Sequence, residues 1–278
     1  MGAEAAEWSS RFASASVDAM QAYEDIFVPG LFVPWANLLL DEVAVAPGEV
    51  VLDVACGPGT VTRLAAARVG ASGRVTGADI SPAMLSIAMS KPAVEGGTID
   101  YVETPAAPLA VESGEFDVVV CQQGLQFFPD RHAALREMHR ALRPGGRVGI
   151  ATWRSIDEQP MFAGLQHALA EVLGLEVAKK YENGPWGFTS LDALRAEVAV
   201  AGFHDVSAHG RTLDAVFDGG ATRFADTLAA SPVAADVASL SAEGRNQLVD
   251  AAERHLGHLV SEGQLRCTSA SNIVVARA

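Results

Sequence analysis

Short runs of β-branched and other apolar residues alternate with more polar segments through the middle of the chain. Each run has four to seven residues, which is too short for a helix and typical of a strand buried on both faces. The five strands predicted from these runs are Val50–Val54, Val75–Ala78, Ile99–Val102, Phe116–Cys121 and Arg147–Trp153.

Segments of helical periodicity lie between the predicted strands. Apolar residues recur there every three to four positions, which places them on one face of a helix. Ser81 before Pro82, and Asp130 before a later segment, are residue types that begin helices. The periodic positions are Val61, Leu64, Ala65 and Val69 in one helix and Leu135, Met138 and Leu142 in another. Strands that alternate with helices predict a doubly wound α/β fold with a parallel sheet.

Further elements are predicted on both sides of this core. Residues 1–45 form two helical segments that carry Trp8, Phe12, Tyr23, Phe27, Phe32 and Trp35. After the core the pattern predicts a helix over 160–175, a loop over 181–188, a helix over 191–201, a strand over 206–217, helical structure over 221–262 and a last strand over 272–276. We interpret 1–45 as a helical cap and 46–278 as the core, with helical insertions at about 155–190 and 218–265.

Composition and charge narrow the class of protein. The chain has 278 residues, of which 49% are apolar and 19% charged, the balance of an ordinary globular protein. Acidic residues exceed basic ones, 34 against 20, and the formal net charge of −14 would repel a polyphosphate backbone. Nucleic acid is therefore not an expected partner.

No targeting or membrane signal is predicted. The most apolar stretch, 26–40, is interrupted by prolines and a glycine and is shorter than the ~20 residues that span a bilayer. The amino terminus is acidic and lacks the features of a secretory signal. Cys56, Cys121 and Cys267 are too far apart in sequence to suggest a disulfide framework. We expect a cytoplasmic protein without a membrane partner, and its oligomeric state stays open.

A glycine-rich turn follows the first predicted strand. The segment 50–60 reads VVLDVACGPGT, a buried strand that turns into a helix, which is the layout of a nucleotide site at the carboxyl edge of a parallel sheet. Gly57 and Gly59 remove side chains that would keep a ligand from the backbone. Asp79 ends the next strand, near the separation that places an acid on a ribose diol. The alternative is a tight turn without a ligand.

The sequence of the glycine-rich turn also distinguishes between two classes of ligand. A dinucleotide site requires G-x-G-x-x-G, and the third glycine position here is Thr62. Asp53, just before the loop, can pair with an α-amino group but has no task beside a pyrophosphate. These features favour S-adenosylmethionine over a nicotinamide dinucleotide.

Here the sequence resembles the class I S-adenosylmethionine-dependent methyltransferases, and within them the quinone-biosynthesis type that acts on small molecules. Their first motif, acid-x-G-x-G-x-G, is matched from Asp53 to Gly59 with Ala55 in the first glycine position. The other motifs are matched at 78–85, 116–125 and 142–147. The resemblance implies a mostly parallel, seven-stranded Rossmann-like sheet with helical cap segments, and S-adenosyl-L-methionine as cofactor.

The resemblance also implies roles for individual residues. Asp79 would hold both ribose hydroxyls, Ile80 and Met84 would line the adenine, and Gln122 with the 55–57 backbone would meet the methionine end. The family usually has an Asp or Asn after the third strand, where this chain has Pro105. Adenine would then be held by the Ala106 backbone, by Glu103 or Thr104, or by water. The expected cofactor-binding residues are Asp53, Ala55, Cys56, Gly57, Gly59, Asp79, Ile80, Met84, Pro105, Ala106 and Gln122.

The acceptor site is predicted from aromatic and polar residues near the strand ends and in the cap. These are Tyr23, Trp35, Gln126, Phe127 and Trp153. No residue is assigned a catalytic role, and the histidines show no metal-ligand spacing, so no metal is expected. We expect methyl transfer by in-line displacement to the oxygen, nitrogen or carbon of a small, largely apolar or aromatic acceptor. The alternatives are an NAD-linked oxidoreductase and a non-catalytic cofactor-binding protein of the same fold.

Overall fold

The structure is a computed structural model that describes residues 17–278. The segment 1–16, with Trp8 and Phe12, lies outside the described residues. No helix in the described part is both long enough and apolar enough to cross a membrane.

The core is one eight-stranded sheet in the order β3-β2-β1-β4-β5-β8-β6, with the short β7 paired to β8. The first five strands are parallel, and β8 is antiparallel to both β5 and β6. The strands are β1 Val50–Val54, β2 Arg74–Asp79, β3 Thr98–Glu103, β4 Phe116–Gln122, β5 Leu142–Trp153, β6 His204–Asp218, β7 Val260–Ser261 and β8 Gln264–Arg277.

Helices connect the strands and extend beyond them. A π-helical turn, Val28–Phe32, joins the first two helices, and short 3-10 turns occur at 125–127, 156–158, 226–230 and 257–259. The helices are α1 Val17–Phe27, α2 Val33–Glu42, α3 Thr60–Val69, α4 Pro82–Ser90, α5 Arg131–Ala141, α6 Pro160–Leu173, α7 Leu175–Glu182, α8 Leu191–Val200, α9 Gly220–Ala225, α10 Ala234–Ala238 and α11 Ala242–Leu256.

Both faces of the sheet are covered by apolar side chains. Neighbouring residues of one strand point to opposite faces. Val118 accordingly belongs to one apolar cluster, and Val119 to the other. This is why the predicted strands read as continuous apolar runs, and it confirms the doubly wound α/β fold.

The predicted helix starts are confirmed by their caps. The Ser81 hydroxyl accepts a hydrogen bond from the Met84 amide at 3.4 Å, and Pro82 occupies the first turn of α4. The Asp130 carboxylate accepts one from the Ala133 amide at 2.8 Å. These bonds satisfy donors that have no partner within the helix.

The largest differences from the sequence prediction lie in the carboxyl-terminal half. The helix predicted over 160–175 is divided at Gly174, whose φ of 90° ends α6, and α7 extends into the predicted loop as far as Glu182. The helical segment predicted over 221–262 is divided into short helices and turns up to 238 and the 15-residue helix α11, and it ends in β7.

The last strand starts at Gln264, eight residues before the predicted Asn272. The first half of β8 pairs with β6 beyond the core, from Gln264 opposite Asp218, where exposed residues such as Arg266 alternate with buried ones. Such a half-exposed strand lacks the apolar run on which the prediction depended.

Candidate functional site

A cavity of about 270 Å³ lies at the carboxyl ends of β1, β2 and β4. The strand order reverses between β1 and β4, so the loops after these strands separate and leave a crevice. Its wall includes ten of the eleven residues predicted to bind the cofactor, namely Asp53, Ala55, Cys56, Gly57, Asp79, Ile80, Met84, Pro105, Ala106 and Gln122.

The glycine loop forms the floor of this cavity, but its two glycines differ in what they allow. A Cβ at Gly57, where φ is 54°, would meet no protein atom within 4 Å, so the missing side chain keeps the backbone accessible. A Cβ at Gly59, where φ is 79°, would lie 2.5 Å from the Tyr101 hydroxyl. Gly59 therefore allows β3 to pack against the start of α3 and is not part of the cavity wall, contrary to the sequence expectation.

Asp79 ties the glycine loop to the end of β2. Its carboxylate accepts the Gly57 amide at 2.7 Å and the Ser81 amide at 2.8 Å. Burial raises the pKa of Asp79, and these backbone hydrogen bonds oppose that shift because they stabilise the charged form. The carboxylate is thus held in a fixed orientation at the cavity wall.

Asp53 has one oxygen satisfied and one not. The Thr62 hydroxyl donates to Oδ2 of Asp53 at 2.7 Å, whereas Oδ1 is buried without a hydrogen-bond partner among the described residues. Burial raises the pKa of this carboxyl to about 7, and the Thr62 hydrogen bond acts against the shift. In the sequence, Thr62 was evidence only against a dinucleotide site. In the structure, its hydroxyl orients the Asp53 carboxylate. An added positive charge would stabilise the carboxylate.

The segment after β3 offers little side-chain chemistry to a ligand. Pro105 and Ala106 line the cavity, while Glu103 is exposed and outside the wall. The Thr104 hydroxyl lies 3.1 Å from the Pro105 carbonyl and accepts the Ala110 amide at 3.1 Å, so its own loop uses it. Of the residues that the sequence left open as adenine partners, Thr104 and Ala106 line the cavity and Glu103 does not.

The predicted acceptor residues divide into two groups. Tyr23 and Phe127 line the cavity, whereas Trp35, Gln126 and Trp153 do not. Trp35 is fully buried, packs edge-on against Trp153 and donates its indole N–H to the Ser269 hydroxyl at 2.8 Å. Large aromatic rings near strand ends are drawn into the core by the apolar area that they bury, and sequence position alone did not separate these two cases.

Several wall residues were missed by the sequence analysis. Val28 and Phe32 come from the π-helical turn, Leu109 from the loop after β3, and Gln123 and Phe128 from the loop after β4. Gln123 had a usable signal, because it directly follows a strand end that was predicted correctly. The others depend on how distant segments pack.

Comparison with known proteins agrees with this geometry. Residues 51–146 match the family model described as a methyltransferase domain. The chain is 30% identical over 257 residues to an uncharacterized protein of Mycobacterium tuberculosis, with 90% of this chain and 91% of that one covered. It is 30% identical over 211 residues to a ubiquinone/menaquinone biosynthesis C-methyltransferase of Klebsiella pneumoniae, with 72% and 82% covered.

The chain belongs to the class I S-adenosylmethionine-dependent methyltransferases. Solved structures share the fold. A phosphoethanolamine N-methyltransferase of Haemonchus contortus in complex with S-adenosyl-L-methionine gives a TM-score of 0.58 at 18% identity, with 97% of this chain and 59% of that one covered. A putative methyltransferase of Bacillus halodurans gives 0.54 at 17% identity, with 87% and 97% covered.

As a member of this family, the protein uses S-adenosyl-L-methionine as its cofactor. The NAD-linked alternative is therefore wrong. The cavity fits the cofactor in two respects: the free oxygen of Asp53 suits an ammonium group, and the open backbone at Gly57 admits a ligand to close range. Among the described residues, no group of three or more His, Cys, Asp or Glu could hold a metal ion.

Proposed function

We propose that this methyltransferase acts on a small, largely apolar or aromatic acceptor with a nucleophilic oxygen, nitrogen or carbon. The observation that supports this is the composition of the cavity wall beyond the glycine loop. Around the end of β4 and under the π-helical turn the wall includes Val28, Phe32, Phe127 and Phe128, with Gln122, Gln123 and Asp130 as its polar members. Apolar and aromatic walls with few polar groups are typical of small-molecule sites.

The residues around the glycine loop would hold the cofactor. Asp79 faces the ribose hydroxyls, Oδ1 of Asp53 pairs with the α-ammonium group, and Gln122 serves the methionine end. Ile80, Met84, Pro105 and Ala106 surround the adenine ring, as does Leu109. The amide of Gln122 donates to the Phe32 carbonyl at 3.1 Å, which leaves its oxygen unpaired and available.

When bound, the cofactor supplies a methyl group on a positively charged sulfur. The chain's own task is then to align the acceptor and to exclude water, which can be worth about 7–11 kcal/mol. Burial raises the pKa of the Tyr23 hydroxyl and of the Cys56 thiol, so neither wall residue is a ready base at neutral pH. We assign no catalytic base.

Helix α1 and the π-helical turn would form the cap over this site. Tyr23 of α1 packs against Met84 of the cofactor wall and against Phe32 at a ring-centroid distance of 5.1 Å. Phe32 in turn lies 6.0 Å from Trp153 at the end of β5. This aromatic row connects the cofactor end of the cavity with the acceptor end, so both ends would be covered together.

The test is methyl transfer from radiolabelled S-adenosylmethionine to a panel of phenols, hydroquinones and aromatic amines, with EDTA present. The relative named as a ubiquinone/menaquinone C-methyltransferase makes hydroquinones the first members of the panel. We expect turnover of at least one aromatic member and none in Gly57→Val, whose side chain would fill cofactor space. Label that appears only in protein or RNA would contradict the proposal.

A further inference from the structure

Gln123 lies on the side of the site where the acceptor is proposed to bind. It follows β4 directly, and its backbone N–H donates to the Ala151 carbonyl of β5 at 2.9 Å. The strand order runs from β2 through β1 and β4 to β5, so Gln123 is beyond the methionine end when viewed from the ribose at β2. Gln123 is one of the residues that line the cavity.

Both the backbone and the side chain of Gln123 are held in an unusual state. The backbone φ is 56°, a left-handed conformation that is uncommon for a residue other than glycine and often found at functional sites. The side-chain amide donates to the Ser271 hydroxyl of β8 at 2.8 Å. Its carbonyl oxygen is buried and has no hydrogen-bond partner among the described residues.

A buried amide oxygen without a partner carries an uncompensated desolvation penalty, so a group that donates to it recovers that penalty. An amide oxygen only accepts, hence the matching group must carry an O–H or N–H. One N–H of the same amide is already bonded to the Ser271 hydroxyl, which fixes the side chain. Together these facts define a point in the cavity wall that favours one hydrogen-bond donor.

The charges of the wall add a second restriction. Asp53, Asp79 and Asp130 line the cavity, and none of the described residues in its wall is Lys, Arg or His. A carboxylate or phosphate on the acceptor would have no cation to pair with and would face these acids, at a cost that the low dielectric of a buried site increases.

We infer that the Gln123 carbonyl oxygen is a specificity-determining acceptor group, which selects neutral acceptors that carry a hydroxyl or N–H beside an apolar ring and excludes acidic ones. This inference rests on the proposed function and deepens it. Gln123 is a positioning residue, since it orients the acceptor through a hydrogen bond and takes no part in bond making.

The experiment measures, by equilibrium dialysis, the affinity of three naphthalene probes for the protein saturated with S-adenosylhomocysteine. We expect 2-naphthol to bind about tenfold more tightly than 2-methylnaphthalene, which has the same shape but no donor. We expect 2-naphthoate to bind more weakly than 2-naphthol. Equal binding of the first two probes, or tighter binding of the third, would overturn the inference.

Variants then assign the preference to Gln123. Gln123→Met keeps the length of the side chain and an unbranched Cβ, so we expect it to lose most of the tenfold preference while 2-methylnaphthalene binds about as before. Gln166→Met is the matched control, because Gln166 bonds to Glu182 away from the cavity. A preference that persists in Gln123→Met would overturn the assignment.

Two further measurements keep the test decisive. If Gln123→Met does not fold, Ser271→Ala removes the anchor of the amide and should reduce the preference of the intact Gln123 site. If none of the probes binds, the proposed apolar acceptor site itself fails; if the two neutral probes bind equally, only the inference about Gln123 fails.

Discussion

Asp53 and Asp79 are buried carboxyls at the ends of neighbouring strands, and their hydrogen bonds give them different tasks. Asp79 is held by two backbone amides, one of them from the glycine loop itself. Asp53 is held on one side only, by Thr62. Both oxygens of Asp79 are hydrogen-bonded, whereas Asp53 has one oxygen left to pair with a positive charge. We therefore expect substitutions of the two residues to change cofactor binding in different ways.

We expect Asp79→Ala to weaken S-adenosylhomocysteine binding at least about tenfold, because the ribose hydroxyls lose a charged acceptor and the Gly57 amide loses its partner. Isothermal titration calorimetry measures the change. Asp100→Ala is the control, since Asp100 is an exposed acid on the adjacent strand β3. Equal affinity in Asp79→Ala and the control would remove Asp79 from the ribose site.

Cofactor affinity should depend on pH through Asp53. In the free protein this carboxyl has a pKa of about 7 and is protonated below that value. Pairing with an ammonium group requires the carboxylate, so binding releases a proton and affinity rises with pH up to about 7, then levels off. Titration calorimetry in buffers of different ionisation enthalpy measures this release.

The pKa of Asp79 is also raised, so the profile alone does not isolate Asp53. Asp53→Asn provides the separation: it should flatten the slope and reduce the proton release, with binding at acid pH changed least. If Asp53→Asn released as many protons on binding as the unsubstituted protein, Asp53 would not be the partner of the ammonium group.

At the scale of elements, α1 and α4 enclose the cofactor end of the cavity. Tyr23 and Met20 of α1 pack against Met84 and Ile87 of α4. Glu24 of α1 forms an ion pair at 2.7 Å with Lys91, the residue directly after α4, and both side chains are less than one-fifth exposed. We expect a cofactor bound beneath this contact to leave only when α1 separates from α4.

We expect Lys91→Met to speed the release of S-adenosylhomocysteine several-fold, since a partly buried ion pair is worth on the order of 1 kcal/mol. Stopped-flow displacement measures the release rate. Lys179→Met is the control, because Lys179 pairs with Glu176 within α7 and joins no two elements. Equal release rates in both variants would mean that α1 does not gate the cofactor.

At the scale of the whole molecule, charge restricts the partners. The net charge of −14 is spread over a chain with 34 acidic and 20 basic residues. We expect no shift of duplex DNA or of RNA by the protein in a gel assay at physiological salt, because each phosphate contact requires a cation and the overall field is repulsive. A salt-dependent shift of RNA would contradict this.

The elements and site residues that could be predicted from the sequence are those whose pattern is local. Residues buried on both faces of the sheet form unbroken apolar runs, so β1 to β4 were predicted to within one or two residues. Helices with a cap residue and a periodic face were also predicted. The glycine loop, Asp53 and Asp79 were recognised because they are local in sequence and sit at strand ends. These features follow from the order of apolar, polar and glycine residues within a short stretch of sequence.

Tertiary structure decided what depends on distant partners. The exposed half of β8 is a strand because β6 lies beside it, and in the helical stretch after β6 the turn at 226–230 packs on α1 whereas α11 packs on α6. Gly59 faces Tyr101 rather than the cavity, Trp35 is tied to Ser269, and Gln123 acquires its free oxygen because Ser271 holds its nitrogen. Each of these pairs is more than forty residues apart in sequence, so no local pattern records the contact; the packed chain alone brings the two groups together.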